Sequence, residues 1–514
     1  MRPFPKLISL VAVAGAIAGA PVAVTAGQAR AGVPADATAG YYFLLGRHLE
    51  DDGKTDEAIT ALKKAIELEP ETAEVRAELA GIYARHDRAR EALEAAEAAI
   101  QHDADNREAN RVLGSVLATL SDSRKPLRPG DDPAQYGPRA IAALEKSRRE
   151  AGVDLNLELM LGRLYLQANN YDKAIASLRR VAEEAPGYPD AAMLLAAAQE
   201  GAGKQADAIR TLEASLEQNP TFYRGHVRLA ELYEQGRRFK EAAAEYARAQ
   251  AANPRVDLAP KQAVALINGG DAAAARDLLQ ALVARKKEPD AAVLYMLAQA
   301  HRQLKDLDAA TAASDKLKAA FPEDPRGMYL NAQLLQDRGR TADAIAAFQA
   351  LIKRSPEDSS LLHEYASLLE KDGRLADAER TLRDLISKDP LDANALNSLG
   401  YMFADRGQRL DEAVDLVKRA LQVEPQNPSF LDSLGWAYYQ QGKIDQADAP
   451  LTEAASKLPE SSVVQDHLGE LRFKQQRFAD AVAAWERALA GDRDSIDSAR
   501  IEKRVRDART RVRR

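Results

Sequence analysis

Few residues in this chain have types and spacing suited to chemistry. The seven histidines (His48, His86, His102, His226, His301, His363, His467) are scattered. No two stand four apart, and none lies in the HExxH setting that would hold a zinc ion. Gly201-Ala-Gly-Lys204 has part of a phosphate-binding loop. It lacks the first glycine at the required spacing and the Ser or Thr that should follow the lysine. With no cysteine, the chain has no thiolate nucleophile, cysteine-ligated zinc, disulfide or cysteine-linked lipid. Charged residues make up 29% of the chain, so carboxylate pairs arise from solvated helix surfaces alone, and none stands out as a general acid. The expectation is no enzyme, no cofactor and no metal site.

The remaining candidates are aromatic. Aromatic residues are only 5% of the chain and include two tryptophans, Trp436 and Trp485. Trp436 closes Ser429-Phe-Leu-Asp-Ser-Leu-Gly-Trp436, which answers Asn394-Ala-Leu-Asn-Ser-Leu-Gly-Tyr401 one repeat earlier. Each copy is followed by a turn glycine (Gly407, Gly442), two alanines (Ala413 and Ala420, Ala447 and Ala454) and a proline (Pro425, Pro459). A period near 34 residues is the signature of a helical solenoid.

Leu396, Leu399, Gly400 and Phe403, like Leu431, Leu434, Gly435 and Tyr438, fall at i, i+3, i+4, i+7, one buried stripe per helix. The small residues let two backbones approach closely. The turn glycines end the first helix, and Asp411-Glu412 and Asp445 suit the amino end of the second. Apolar residues at 46% with so few aromatics make an interior of Ala and Leu, hence an all-α chain.

The paired Leu-Gly motif, the aromatic three residues on, the two alanines and the closing proline resemble the tetratricopeptide repeat (TPR) family, from about Ala39 to about Asp494. The resemblance implies a TPR superhelical solenoid of about 13 helix-turn-helix repeats. In that family, repeat positions 5, 9 and 12 of each first helix line a concave groove. Carried over, these positions are Asn397, Tyr401 and Ala404, then Asp432, Trp436 and Tyr439, then Asp466, Glu470 and Phe473. Aromatics mixed with carboxylates would face outward there and favour a ligand of apolar and basic character. Trp436 on that stripe reads as a binding anchor or as packing against the next unit; Trp485, on a second helix, reads as core.

Taken in order, residues 1–26 have the charged, apolar and small-residue succession of a signal peptide, with cleavage after Ala26 or as late as Ala31. An uncleaved amino-terminal anchor is the alternative. Residues 27–38 read as a tether, and 39–254 as a first array interrupted at 121–136 by a proline-rich insertion, expected to be a mobile surface loop. The pattern decays over 255–290, a degenerate repeat or kink, and resumes over 291–496. Residues 497–514 form a basic amphipathic capping helix with Ile501, Val505, Ala508 and Val512 on one stripe.

The net charge of −7 argues against general attraction to nucleic acid, and beyond the leader no segment is apolar enough to span a membrane. The resemblance extends to large periplasmic TPR proteins of bacteria, some of them lipoproteins that recruit processing proteases. The expectation is therefore a periplasmic or secreted, non-enzymatic scaffold that binds a protein or extended peptide. An exopolysaccharide assembly scaffold or a carbohydrate-binding protein are the alternatives.

Overall fold

The computed structural model describes residues 37–123, 125–149, 152–285 and 290–512. The expected signal peptide and nearly all of the tether lie outside them. Among the described residues there are 27 α-helices, two short 3-10 helices and no strand. Thirteen-residue first helices alternate with fourteen-residue second helices, as in Ala393–Asp405 with Leu410–Val423 and Pro428–Gln440 with Ile444–Lys457.

Local sequence explains the punctuation. Asp392 opens a first helix by accepting the Ala395 N–H, and Asn427 does the same for Ser429 beside Pro428. The turn then needs one residue in the left-handed region. Gly407 and Gly442 supply it without steric penalty, but Asp87, Asn169, Arg237, Lys305 and Gln476 stand at the matching places with φ between 55° and 63°. Arg237, Lys305 and Gln476 cost roughly 1–2 kcal/mol each there, Asp87 and Asn169 less. Close helix approach requires Gly400 and Gly435. A Cβ on Gly400 would lie 2.6 Å from Val417 Cγ2 and 3.0 Å from the Ala413 carbonyl, and on Gly435 2.5 Å from Leu451 Cγ.

The chain divides into two compact units, Met1–Pro220 and Thr221–Arg514. In the first, Leu62, Leu93, Leu117, Leu144, Leu161 and Leu178 are almost wholly buried along one continuous core. In the second, the core passes through successive clusters, from Ala263 and Leu279 through Leu396 and Leu399 and then Leu451 to Trp485. Each unit therefore has an elongated core shared between neighbouring helices, as expected of a repeat array.

Two expectations, the loose insertion and the outward placement of Ala404, are corrected. The insertion is not a loose loop. The helix Arg107–Ser123 runs into it, and Tyr136, 1% exposed, starts the next helix. The Tyr136 O–H donates to Asp131 Oδ2 at 2.9 Å while its oxygen accepts the Leu127 N–H at 2.9 Å. Arg128 donates to Glu97 at 2.7 and 3.2 Å, and Arg139 to the same carboxylate at 2.6 Å. Burial opposes ionisation of Glu97, but the two guanidiniums outweigh it and hold its pKa below the usual range.

The weak stretch at 255–290 still forms a helix pair. Its first helix, Ala259–Asn268, has ten residues with Pro260 in its first turn, and Ala272–Arg285 follows, with Ala263 and Leu279 fully buried. Ala404, assigned to the groove stripe, is fully buried in the core. The small side chain at position 12 lets the neighbouring helix close over it.

Candidate functional site

The stripe residues converge in the second unit, where three first helices, Ala393–Asp405, Pro428–Gln440 and Ser462–Lys474, are followed by the terminal helix Ser498–Val512. Tyr401, Trp436, Tyr439, Asp466 and Glu470 line one cleft of about 470 Å³ together with Asp405, His467, Arg500 and Arg504. Asp432 lies beneath it, buried and bonded to His467 Nδ1 at 3.0 and 3.1 Å. Asn397 and Phe473 stand apart. The Asn397 Oδ1 is buried without a donor, and Phe473 packs on Phe478 and Trp485 at ring distances of 5.4 and 5.7 Å.

Trp436 is held differently from an exposed anchor. Tyr439 stacks on one side at 4.9 Å and 7°, and His467 stacks at 4.0 Å and 11°. This is packing against the neighbouring repeat. The indole Nε1 is buried and donates to no group. An orphaned donor of this kind costs about 1–3 kcal/mol unless an acceptor arrives. Tyr401 tilts against His467 at 6.2 Å. Burial first, then the carboxylates of Asp405 and Asp432, raise the Tyr401 phenol above its ordinary range. Burial and Glu470 do the same for Tyr439. Both hydroxyls therefore stay protonated donors.

The carboxylates do not face outward. Asp432, Asp466 and Glu470 are 4%, 7% and 6% exposed. Arg500 is bonded to Asp466 and, at 2.8 Å, to Glu470; Arg504 reaches Glu470 at 3.2 Å; and Trp485 Nε1 donates to Asp466 at 3.0 Å. For His467 burial opposes the charge, but Asp432, with Asp466 and Asp405 beyond it, more than offsets this and raises its pKa. The acidic stripe is thus neutralised from within, which removes the ground for preferring a basic ligand.

His467, Arg500 and Arg504 were not singled out by sequence reasoning. His467 sits at repeat position 6, beside the stripe and next to Asp466. The arginines were read only as the polar face of a cap. A signal was present in Arg500 and Arg504, spaced i, i+4 like Asp466 and Glu470. Trp485 is fully buried, and a Cβ on Gly469 would strike its indole.

Elsewhere, Lys204 of the glycine-lysine turn is paired with Asp172 at 3.2 Å, so it is committed to the neighbouring turn. Among the described residues no group of three or more His, Asp or Glu is arranged to hold a metal ion, and no helix is long and apolar enough to cross a membrane.

Tetratricopeptide repeat profiles match residues 138–189, 159–221, 193–256, 261–325, 329–379, 366–429 and 433–499, and a second such profile matches 49–116. Over 75 residues the chain is 44% identical to the TPR repeat-containing protein PA4667 of Pseudomonas aeruginosa, a stretch that is 15% of this chain and 12% of that protein. Among solved structures it is similar to a chain of the APC/C hetero-tetramer Cut9-Hcn1, with TM-score 0.42 and 14% identity over 91% of this chain and 96% of that one. It is also similar to YrrB, described as a TPR protein with an unusual peptide-binding site, with TM-score 0.33 and 20% identity over 38% of this chain and 95% of that one.

Proposed function

The chain belongs to the tetratricopeptide repeat family, and on that premise we propose that it is a non-enzymatic scaffold whose second unit binds a segment of another protein in the cleft at Tyr401. The observation that carries this reading is the cleft itself. Tyr401 and Tyr439 lie together there beside the Trp436 ring as protonated phenols, and Asp466, Glu470, Arg500 and Arg504 next to them are already paired with one another. A partner is therefore selected by apolar contact and hydrogen-bond acceptors more than by net charge. The signal-like order of residues 1–31 supports an exported scaffold, and a place in the cell envelope follows from it.

The test is a photo-reactive residue at Asp405, an exposed position on the cleft rim. Irradiation in cells is expected to give one or a few discrete protein adducts. Tyr401→Ala should reduce them through a loss of about 2 kcal/mol, roughly thirtyfold in affinity. Tyr401 is a cleaner probe than Trp436, whose removal also strips His467 of its stacking partner. Adducts that are glycans, or no protein adduct at all, would overturn the reading.

A further inference from the structure

The first repeat shows a face that later repeats keep covered. In the first helices Ala393–Asp405, Pro428–Gln440 and Ser462–Lys474, positions 3 and 10 are buried: Ala395 and Met402, Phe430 and Ala437, Val464 and Leu471. Each of these helices has the second helix of the preceding repeat packed against it. Ala39–Asp51 has no second helix before it among the described residues. Its positions 3, 6 and 10 are Tyr41, half-buried, Leu44, 65% exposed, and His48, exposed. A repeat array needs a polar outer face where it ends. In the second unit Ser498–Val512 supplies one, with Ile501, Val505 and Ala508 turned inward, whereas Ala39–Asp51 presents a leucine.

Tyr41, Leu44, His48 and Asp51 follow at i, i+3, i+7 and i+10, so they form one stripe along a helix about 20 Å long. Arg47 lies beside the stripe, exposed, and makes no ion pair with any described residue. The stripe is self-complementary about a two-fold axis through Leu44. Antiparallel helices related by that axis set Leu44 against its own copy, Tyr41 against Arg47, Gly40 against His48 and Ala37 against Asp51. No charge then opposes a like charge. A Cβ on Gly40 would meet only Thr38 Oγ1, at 3.8 Å, so the backbone there is open to an approaching histidine ring. The pairing of arginine with tyrosine already recurs within the chain, with Arg88 over the Tyr83 ring at 4.6 Å and Arg238 over Tyr233 at 4.3 Å.

We infer that this face joins two copies of the chain, helix Ala39–Asp51 against its antiparallel counterpart, in an isologous dimer. The dimer is independent of the cleft reading, which concerns the other unit. An anionic lipid surface fits the same patch less well, because exposed Asp51, Asp56 and Glu57 beside it would be repelled by the headgroups. One helix face of this length buries less than a standard interface, so the dissociation constant is expected on the order of 10–100 μM.

The chain has no cysteine, so a single introduced thiol reports the axis directly. In the chain as isolated from cells, Leu44→Cys should form a disulfide-linked homodimer under mild oxidation about tenfold faster than Leu391→Cys, whose leucine is 69% exposed but lies off this face. Sedimentation velocity of the unaltered chain up to about 200 μM should show a reversible dimer. Leu44→Glu should abolish it and Arg47→Glu weaken it about fivefold, with helicity and melting temperature unchanged, because both side chains face solvent. A chain that stays monomeric at that concentration, with both thiols oxidising at equal rates, overturns the inference. So does a dimer that persists in Leu44→Glu, which would lie elsewhere. Binding of a monomeric chain to phosphatidylglycerol vesicles, lost in Leu44→Glu, overturns it in favour of a lipid surface.

Discussion

The insertion in the first unit and the terminal helix in the second both lie outside the 34-residue pattern, and they are anchored by opposite means. The insertion is tied by polar groups around a single buried ring: Tyr136 clamps Asp131 and the Leu127 backbone, and Glu97 gathers Arg128 and Arg139. The terminal helix is seated by apolar burial, with Ile501, Val505 and Ala508 on the wholly buried Trp485, and its arginines are then free to reach the cleft. A segment with a helical apolar stripe docks as one more repeat element would. One without such a stripe needs specific hydrogen bonds, each of which depends on a few named atoms.

The largest expected effect tests the apolar anchor. Trp485→Ala should lower the stability of the full chain by about 3–5 kcal/mol in urea unfolding and raise amide exchange throughout Ser498–Val512. A loss below about 1 kcal/mol, with exchange unchanged, would mean the helix is held by Arg500 and Arg504, and the contrast with the insertion would vanish. A smaller effect is expected from Tyr136→Phe, which strands the Leu127 N–H and leaves Asp131 Oδ2 with the Arg128 N–H alone. It should cost about 1–2 kcal/mol and speed exchange at Leu127 without touching the terminal helix. No change in either would restore the insertion to a mere loop.

The smallest effect is one of pH and separates the units. The folded pKa of His467 lies above its ordinary value of 6.5. The stability it contributes is therefore fully present below about 6.5 and is lost as pH rises through the raised folded value. Thermal unfolding of the second unit should show this decline, and His467→Gln should flatten it. The insertion should not respond over that window, since Glu97 titrates below it and Arg128 and Tyr136 above it. A parallel decline in the first unit would point to some other group.

Much of the fold was legible because each repeat states it again: the Leu-Gly pair, the turn residue and the proline mark helix, turn and boundary with simple physics. The cleft was legible in position only. Tyr401, Trp436 and Tyr439 were placed by register, but register says nothing of what lies opposite. Asp466 and Glu470 are hidden by arginines about 30 residues away, and Trp436 by a histidine from the next repeat. Ala404 fails for a related reason, since a small residue on the outer stripe allows the next helix to close over it.

The five left-handed turns built without glycine have a bearing on how such an array comes apart. In a globular domain, strain at one turn is shared by the whole cooperative unit. In a linear array, stability is close to a sum of local terms and neighbour couplings, so a strained turn weakens its own helix pair first. Arg237, Lys305 and Gln476, and to a lesser degree Asp87 and Asn169, are therefore expected to weaken their own helix pairs, which heat or a pulling force should open first. Exchanging them singly for glycine would strengthen chosen links and leave the others as they are.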